Sequence, residues 1–243
     1  MPIRCTLHCM NMRSNGDING IQASILRQLF RKDGLRFAEI NVEGVSSDQF
    51  SYHLRQLLKY GLIEKSPDQT YSLSTMGKTR TIMLYPNQDG FIEQGFLAVR
   101  LVLTKMENGK QHFLMQQRDI VPYKGTYATP GDKVLFGEDT IDTAQRVLQR
   151  DTGLTCDLRL CGIKHIKEEY LEKIVQDKYF FVFTGNAPQG ELIPRSRTGK
   201  NLWMTYEEIE TSGLSIQGGL ELLKMITNDR LDFTEQTLGV DKY

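Results

Sequence analysis

The chain has 243 residues, with 30 Lys+Arg against 30 Asp+Glu, 40% hydrophobic and 25% charged. This is an ordinary globular balance that excludes a disordered chain and leaves room for one large domain or two small ones. No apolar run approaches the roughly 18–20 residues of a membrane span, residues 1–16 lack a signal-peptide core, and four cysteines make no disulfide scaffold at this length, so a cytoplasmic protein with no membrane partner is expected. The zero net charge hides a basic front, 11 Lys+Arg against 7 Asp+Glu over residues 1–84, and an acidic remainder with 19 against 23. Two modules with different partners would give that asymmetry.

Residues 1–16 read as an exposed arm. Cys5, His8 and Cys9 crowd into five residues, but no second ligand pair follows at a usable distance, so no metal site is expected there. From Asp17, Ile18, Ile21, Ile25, Leu26 and Leu29 recur at spacings of three and four, which predicts a helix ended at Gly34. A short second helix is predicted over Arg36–Asn41, broken at Glu43-Gly44. A third starts at a serine cap, Ser46-Ser47-Asp48, buries Phe50, Leu54, Leu57 and Leu58, and stops at Gly61. The following LIEKSPDQTYSLS alternates around Ser-Pro-Asp-Gln as a two-stranded hairpin does.

Three helices and a hairpin over residues 17–84 resemble the winged helix-turn-helix family. The residues that carry the likeness are Phe50-Ser51-Tyr52-His53-Leu54, Leu57, Gly61-Leu62-Ile63 and Tyr71-Ser72-Leu73-Ser74, with the wing strand ending at Gly77-Lys78. The resemblance implies binding to double-stranded DNA, with the third helix in the major groove; the alternative is a winged helix used only for protein contacts. With the apolar face buried, Ser47, Gln49, Tyr52, His53 and Gln56 remain for base edges, the two glutamines being able to pair with adenine. Lys65 on the wing, with Arg55, Lys59, Lys78 and Arg80, suits phosphates. A surplus of four positive charges is modest for DNA binding, so a homodimer is expected.

Residues 85–90 read as a turn-rich linker, with Pro86–Gly90 at its centre. Strands then dominate. FLAVRLVLT and HFLMQQR flank the hairpin signal Asn108-Gly109, and IKHIKEEYL, KYFFVFTG and LWMTYEEIE follow. With an embedded helix this makes an α+β domain over 91–215, followed by a C-terminal helix around 217–227 and a tail within 216–243.

Residues 125–154 resemble a Nudix box, and the likeness extends over about 91–210. Glu138 is followed after seven residues by Arg146-Val147-Leu148-Gln149-Arg150-Asp151-Thr152-Gly153-Leu154, the spacing of the family, with Asp132 where the family has the box glycine. The resemblance implies that carboxylates matching Val147, Arg150 and Asp151 would share a helix face and hold Mg²⁺ for cleavage of a diphosphate. Here valine offers no oxygen, arginine puts a cation in the metal's place, and only Asp151 keeps a carboxylate. Glu138, Arg146 and Asp151 therefore read as a remnant box, with no catalytic residue and no metal ligand expected. A guanidinium can pair directly with phosphate oxygens, so Arg150, with Asp151, Arg118 and Lys133, is the expected ligand-binding set; Gln116, Gln117 and Lys124 are further candidates, and Arg150 paired to Asp151 or Asp132 in a vestigial cleft is the alternative. Adjacent residues of a strand point to opposite faces, so at most one of Glu168 and Glu169 could enter the cleft and join Asp151 and Glu138 in holding one weak metal; the preferred reading is solvated charges on a strand edge.

The expected architecture is two domains, an all-α winged helix followed by an α+β Nudix-type sandwich with a mixed sheet. The expected function is a DNA-binding transcriptional regulator whose degenerate Nudix domain senses a nucleotide or phosphorylated metabolite without a cofactor. The alternative is a divergent Mg²⁺-dependent Nudix hydrolase of nucleoside diphosphate-linked substrates, with the winged helix as an interaction module. Val147→Glu with Arg150→Glu, which restores the family's carboxylates, is the change expected to create activity in an inactive scaffold.

Overall fold

A computed structural model describes residues 18–40, 42–84, 94–216, 218–227 and 230–240. The arm with Cys5, His8 and Cys9 and the 85–90 linker lie outside these residues. The chain divides into two compact units, Met1–Glu93 and Gln94–Tyr243.

In the first unit α1 spans Gly20–Arg31. Asn19 caps it, its side chain accepting from the Gln22 amide at 3.0 Å while Gln22 reaches back to the Asn19 amide. β1 (Leu35–Arg36) leads into a single 3-10 turn, Phe37–Glu39, then α2 (Ser47–Lys59), β2 (Ile63–Lys65), β3 (Thr70–Leu73) and α3 (Thr75–Ile82). The three strands form an antiparallel sheet in the order β1-β3-β2. Ile25, Leu26, Leu29, Leu54, Leu57 and Tyr71 meet in one core, so the apolar stripes of α1 and α2 face each other and the sheet.

Two expectations need correction. The second helix shrinks to the 3-10 turn because Leu35 and Arg36 are taken by pairing with Tyr71 and Thr70, and the Glu39 carboxylate accepts the Arg36 amide at 2.8 Å, closing the turn at once. The stretch read as the end of the wing, Gly77-Lys78, belongs instead to α3. Ser74 caps that helix at the Gly77 amide, 2.9 Å away, and donates to the Gly61 carbonyl at 2.6 Å.

The second unit contains β4 (Phe96–Glu107), β5 (Lys110–Arg118), β6 (Tyr127–Ala128), β7 (Gly131–Lys133), α4 (Thr140–Val147), β8 (Arg159–Tyr170), β9 (Lys173–Asn186), β10 (Gly199–Thr205), α5 (Tyr206–Thr211), α6 (Gly219–Lys224) and β11 (Asp232–Gly239). The sheet runs β10-β5-β4-β9-β8-β11, with β6 on β5 and β7 on β4. It is mixed: β4 with β9 and β8 with β11 are parallel, and the other pairs are antiparallel. Asn108 and Gly109, both at positive φ, turn β4 into β5.

β4 is apolar on both faces because both faces are covered. Val99, Leu101 and Leu103 pack with Ala144, Val147 and Leu148 of the α4 segment, while Ala98 and Val102 share the other core with Ile209 of α5 and Leu222 and Leu223 of α6. The segment after 215 is therefore more than a helix and a tail: α6 closes a core, and β11 pairs with β8 from Asp232 opposite Gly162 to Gly239 opposite Glu169. Its alternating Asp-Phe-Thr-Glu-Gln-Thr-Leu-Gly is the strand signal that was there to be read. No helix among the described residues is long and apolar enough to cross a membrane.

A Cβ on Gly77 would lie 1.8 Å from the Leu62 carbonyl oxygen, which also accepts the Ser74 amide. Gly77→Ala is expected to destabilise the first unit by about 1–3 kcal/mol, seen as faster amide exchange across residues 20–82 with the second unit's protection unchanged.

Candidate functional site

On α2 the structure separates the predicted DNA-facing residues by how free their side chains are. Ser47 and Tyr52 are exposed, Tyr52 by 53%. Gln56 is half-buried and Lys65 is exposed on β2, 5.3 Å from the Tyr71 ring. Gln49 is committed to its own helix start, its Oε1 accepting from the Ser46 amide at 3.2 Å and hydroxyl at 3.3 Å. His53 Nδ1 contacts the Asn19 side-chain Nδ2 at 3.3 Å, and its ring stands edge-on to Tyr52. Gln49 and His53 are thus joined to neighbours within the unit, a use that their spacing alone did not reveal.

In the second unit the decisive feature is a closed set of three guanidinium groups and three carboxylates. β7 delivers Asp132, and α4 with the five-residue π-turn that continues it, Leu148–Thr152, delivers Arg146, Arg150 and Asp151. Arg150 grips Asp151 in a two-pronged pair at 2.7 and 2.6 Å and reaches Asp132 with its third nitrogen at 3.0 Å. Arg146 holds Glu138 in the same way at 2.7 and 2.8 Å and also touches Asp132. Arg197, from the loop before β10, donates to the same Asp132 oxygen at 2.7 Å. Asp132 is the hub, and every carboxylate of the set is already held by arginine.

The electrostatics follow. Burial works to raise the Asp132 pKa, but the Lys133 amide and the three arginines outweigh it and hold it below the ordinary carboxylate value. Arg146 holds Glu138 down to about 2. Asp151 is 2% exposed, and its main-chain oxygen accepts from Asn201 Nδ2 at 2.6 Å, so the π-turn is fixed from both sides. Gly153 ends the turn at positive φ, where a Cβ would lie 2.7 Å from the Glu191 carbonyl oxygen.

Beside the hub opens a cavity of about 330 Å³. Its apolar walls include Phe96, Ile166, Phe180 and Leu222, and its charged lining is Arg100, Arg118, Lys133, Lys178 and Arg197 against Asp132 and Glu168. Arg118 and Lys133, expected from the sequence, are there, with Lys133 4.7 Å from the Phe96 ring. Gln116 is not a lining residue; it is buried and bonded to Ser196, Thr198 and Asn201. Glu168 corrects the expectation of a solvated edge. The strand register shifts between Glu168 and Glu169, and Glu168 turns inward, 4% exposed, to pair with Lys178.

Burial pushes the Arg100 guanidinium down to about 10, the positive charge of Arg118 adding to the effect and Glu168 only partly offsetting it. Lys178 is lowered by burial and by the same two arginines, against the pull of Glu168. Arg100, Lys178 and Arg197 were not anticipated. The available signal was one arginine interrupting the apolar FLAVRLVLT.

The model of the NUDIX domain family matches residues 96–223, more than half of the chain. The chain belongs to the Nudix family. Similar solved structures include the MutT protein from Bacillus halodurans, 24% identical over 58% of this chain and 90% of that one, TM-score 0.48. The NUDIX domain of Shewanella oneidensis NrtR, solved with ADP ribose, is 15% identical over 56% and 88%, TM-score 0.49. A NUDIX hydrolase from Nitrosomonas europaea is 15% identical over 73% and 93%, TM-score 0.43. No curated protein matches the sequence.

Membership in the Nudix family implies Mg²⁺ on the box, and the residues here do not fit it. Val147 is fully buried in the core with Ala144 and Leu148 and offers no oxygen. The three remaining carboxylates carry three guanidinium groups, which leaves no negative surplus and no free oxygen cluster of the kind a hard dication requires. Among the described residues no group of three or more His, Cys, Asp and Glu is disposed to hold a metal ion.

The restoring double substitution is therefore expected to fail. Val147→Glu places a carboxylate in a fully buried apolar site, and Arg150→Glu leaves Asp151 without its partner. The combined loss is at least about 3 kcal/mol, measured by denaturant unfolding. Glu138 sets an acid limit. Its folded pKa, about 2, lies below the ordinary 4.5, so its contribution is complete above about 4.5 and is lost as pH falls toward 2. Glu138→Gln is expected to flatten that limb of the stability curve, read by melting from pH 5 to pH 2.5.

Proposed function

We propose that the chain is a transcriptional regulator in which the first unit binds double-stranded DNA as a winged helix and the Nudix unit binds a nucleotide or phosphorylated metabolite without metal and without cleaving it. The observation that carries this reading is the arginine-closed box next to a basic cavity. The box's metal positions are filled by fixed charge, while the adjoining wall carries five cations against two carboxylates and so favours an anion. Binding then has no metal-activated water to convert into hydrolysis. Regulation requires only that the ligand bind one arrangement of the protein better than another.

On the DNA side, α2 is amphipathic and capped at its start, and it leaves Ser47, Tyr52 and, on the same helix, Gln56 for base edges. Arg55, Lys59, Lys65 and Lys78 are exposed and suit phosphates. A homodimer would double the surplus of positive charge. The hydrolase reading draws on Glu168, a buried carboxylate in the cavity whose Oε1 pairs with Lys178 and whose Oε2 has no hydrogen-bond partner among the described residues.

Melting the full chain with a panel of nucleotides and nucleotide sugars, ADP-ribose included, in Mg²⁺ and in EDTA tests the ligand half. A ligand at about 100 times its dissociation constant adds roughly 2.7 kcal/mol. The expected shift survives EDTA and the ligand is recovered intact; a shift that needs Mg²⁺, or a cleaved ligand, means an enzyme. For the DNA half, Lys65→Ala is expected to weaken binding to the chain's own upstream region for all sequences alike and to lower the salt slope by about 1, whereas Tyr52→Ala with Gln56→Ala is expected to relax sequence preference. Equal preference before and after the latter change removes α2 as the reading helix.

A further inference from the structure

The cavity contains more positive charge than its own carboxylates answer. Lys178 is paired with Glu168, and Arg197 with Asp132. Arg100 and Arg118 have no such partner: among the described residues neither has a carboxylate within ion-pair distance, and each donates to a main-chain oxygen, Arg100 to Thr129 at 3.0 Å and Arg118 to Pro122 at 3.2 Å. The face of the Phe180 ring lies against Arg100, 4.7 Å from ring centre to guanidinium carbon. Both line the cavity and both are disfavoured as cations by burial, Arg100 further by Arg118. Two desolvated, mutually repelling guanidinium groups cost stability unless an anion joins them.

We infer that Arg100 and Arg118 are the seat of the ligand's anionic group and that this group is the terminal phosphate of a small monoester, of sugar-phosphate size, rather than a bridging diphosphate at the box. A phosphate monoester carries close to two negative charges at neutral pH, which matches the two unpaired guanidinium groups; Lys133, the remaining lining cation without a carboxylate among the described residues, is exposed and leaves one positive charge at the rim. Its three free oxygens can accept from both forks at once, an arrangement that suits arginine better than lysine. The size agrees. A cavity of about 330 Å³ lies at the lower end of small-molecule pockets. The box itself has no cation to spare for a second phosphate, since Arg146, Arg150 and Arg197 are all engaged by carboxylates.

The inference rests on the metal-free binding reading above and is tested separately from it. The full chain is titrated in EDTA with ribose 5-phosphate, glucose 6-phosphate and AMP, and with ribose, adenosine, inorganic phosphate and ADP-ribose for comparison. At least one monoester is expected to raise the melting temperature and its unphosphorylated parent is not. Arg118→Gln is expected to weaken the monoester at least tenfold while the ligand-free protein melts no lower than the natural chain, because an uncompensated cation has been removed. Arg100→Lys, which keeps the charge and loses the fork, is expected to weaken it comparably and spares the Phe180 contact if Arg100→Gln does not fold. ADP-ribose binding that is undiminished in both variants, with no response to monoesters, overturns the terminal-phosphate assignment and leaves metal-free sensing intact. A marked fall in the melting temperature of ligand-free Arg118→Gln shows a structural guanidinium and also overturns it. No response to any compound takes down both.

Discussion

Everything distinctive in the Nudix unit depends on one carboxylate, Asp132, meeting three arginines. In the family pattern that position is a small residue beside a metal site. Here it is an acid that neutralises Arg150 and Arg197 and touches Arg146, while Asp151 and Glu138 complete the charge balance. Positive charge that a dication would bring is supplied by the chain itself, permanently and in fixed positions. The exchange has a structural effect as well: buried Asp151 is held by Arg150 in front and by Asn201 behind, so the turn that would present ligands is instead a rigid brace between α4 and β10.

The brace also separates two electrostatic environments that lie side by side. The hub is internally neutral, with as many guanidinium groups as carboxylates. The cavity is not, because β4 inserts Arg100 among apolar residues that would otherwise pack on both faces, and β5 ends in Arg118. A low-dielectric pocket strengthens whatever charge remains unbalanced within it. The combination favours holding an anion, which is the basis of the proposed metal-free binding.

The legibility of this molecule in its sequence divides along physical lines. Periodicity carried α1 and α2, because the apolar stripes of Ile25, Leu26 and Leu29 and of Phe50, Leu54 and Leu57 are what pack them; the Asn108-Gly109 turn and the buried strands on either side were equally plain. Box spacing located Glu138, Arg146, Arg150 and Asp151 in the chain. What could not be read was which partner each charge chooses. Asp132 and Arg197 are 65 residues apart, and the inward turn of Glu168 depends on a register shift that no local pattern announces. Gln49 and His53 were legible as exposed helix positions but not as parts of a cap and a neighbour contact.

The most direct test of the account is Mn²⁺ titration of the full chain followed by electron paramagnetic resonance, with Mn²⁺ standing in for Mg²⁺ at oxygen sites. A box closed by arginine predicts no stoichiometric binding up to millimolar metal and no change on Asp151→Asn. A saturable site of submillimolar affinity that disappears with Asp151→Asn would contradict it, because it would mean that Arg150 yields its place to a metal.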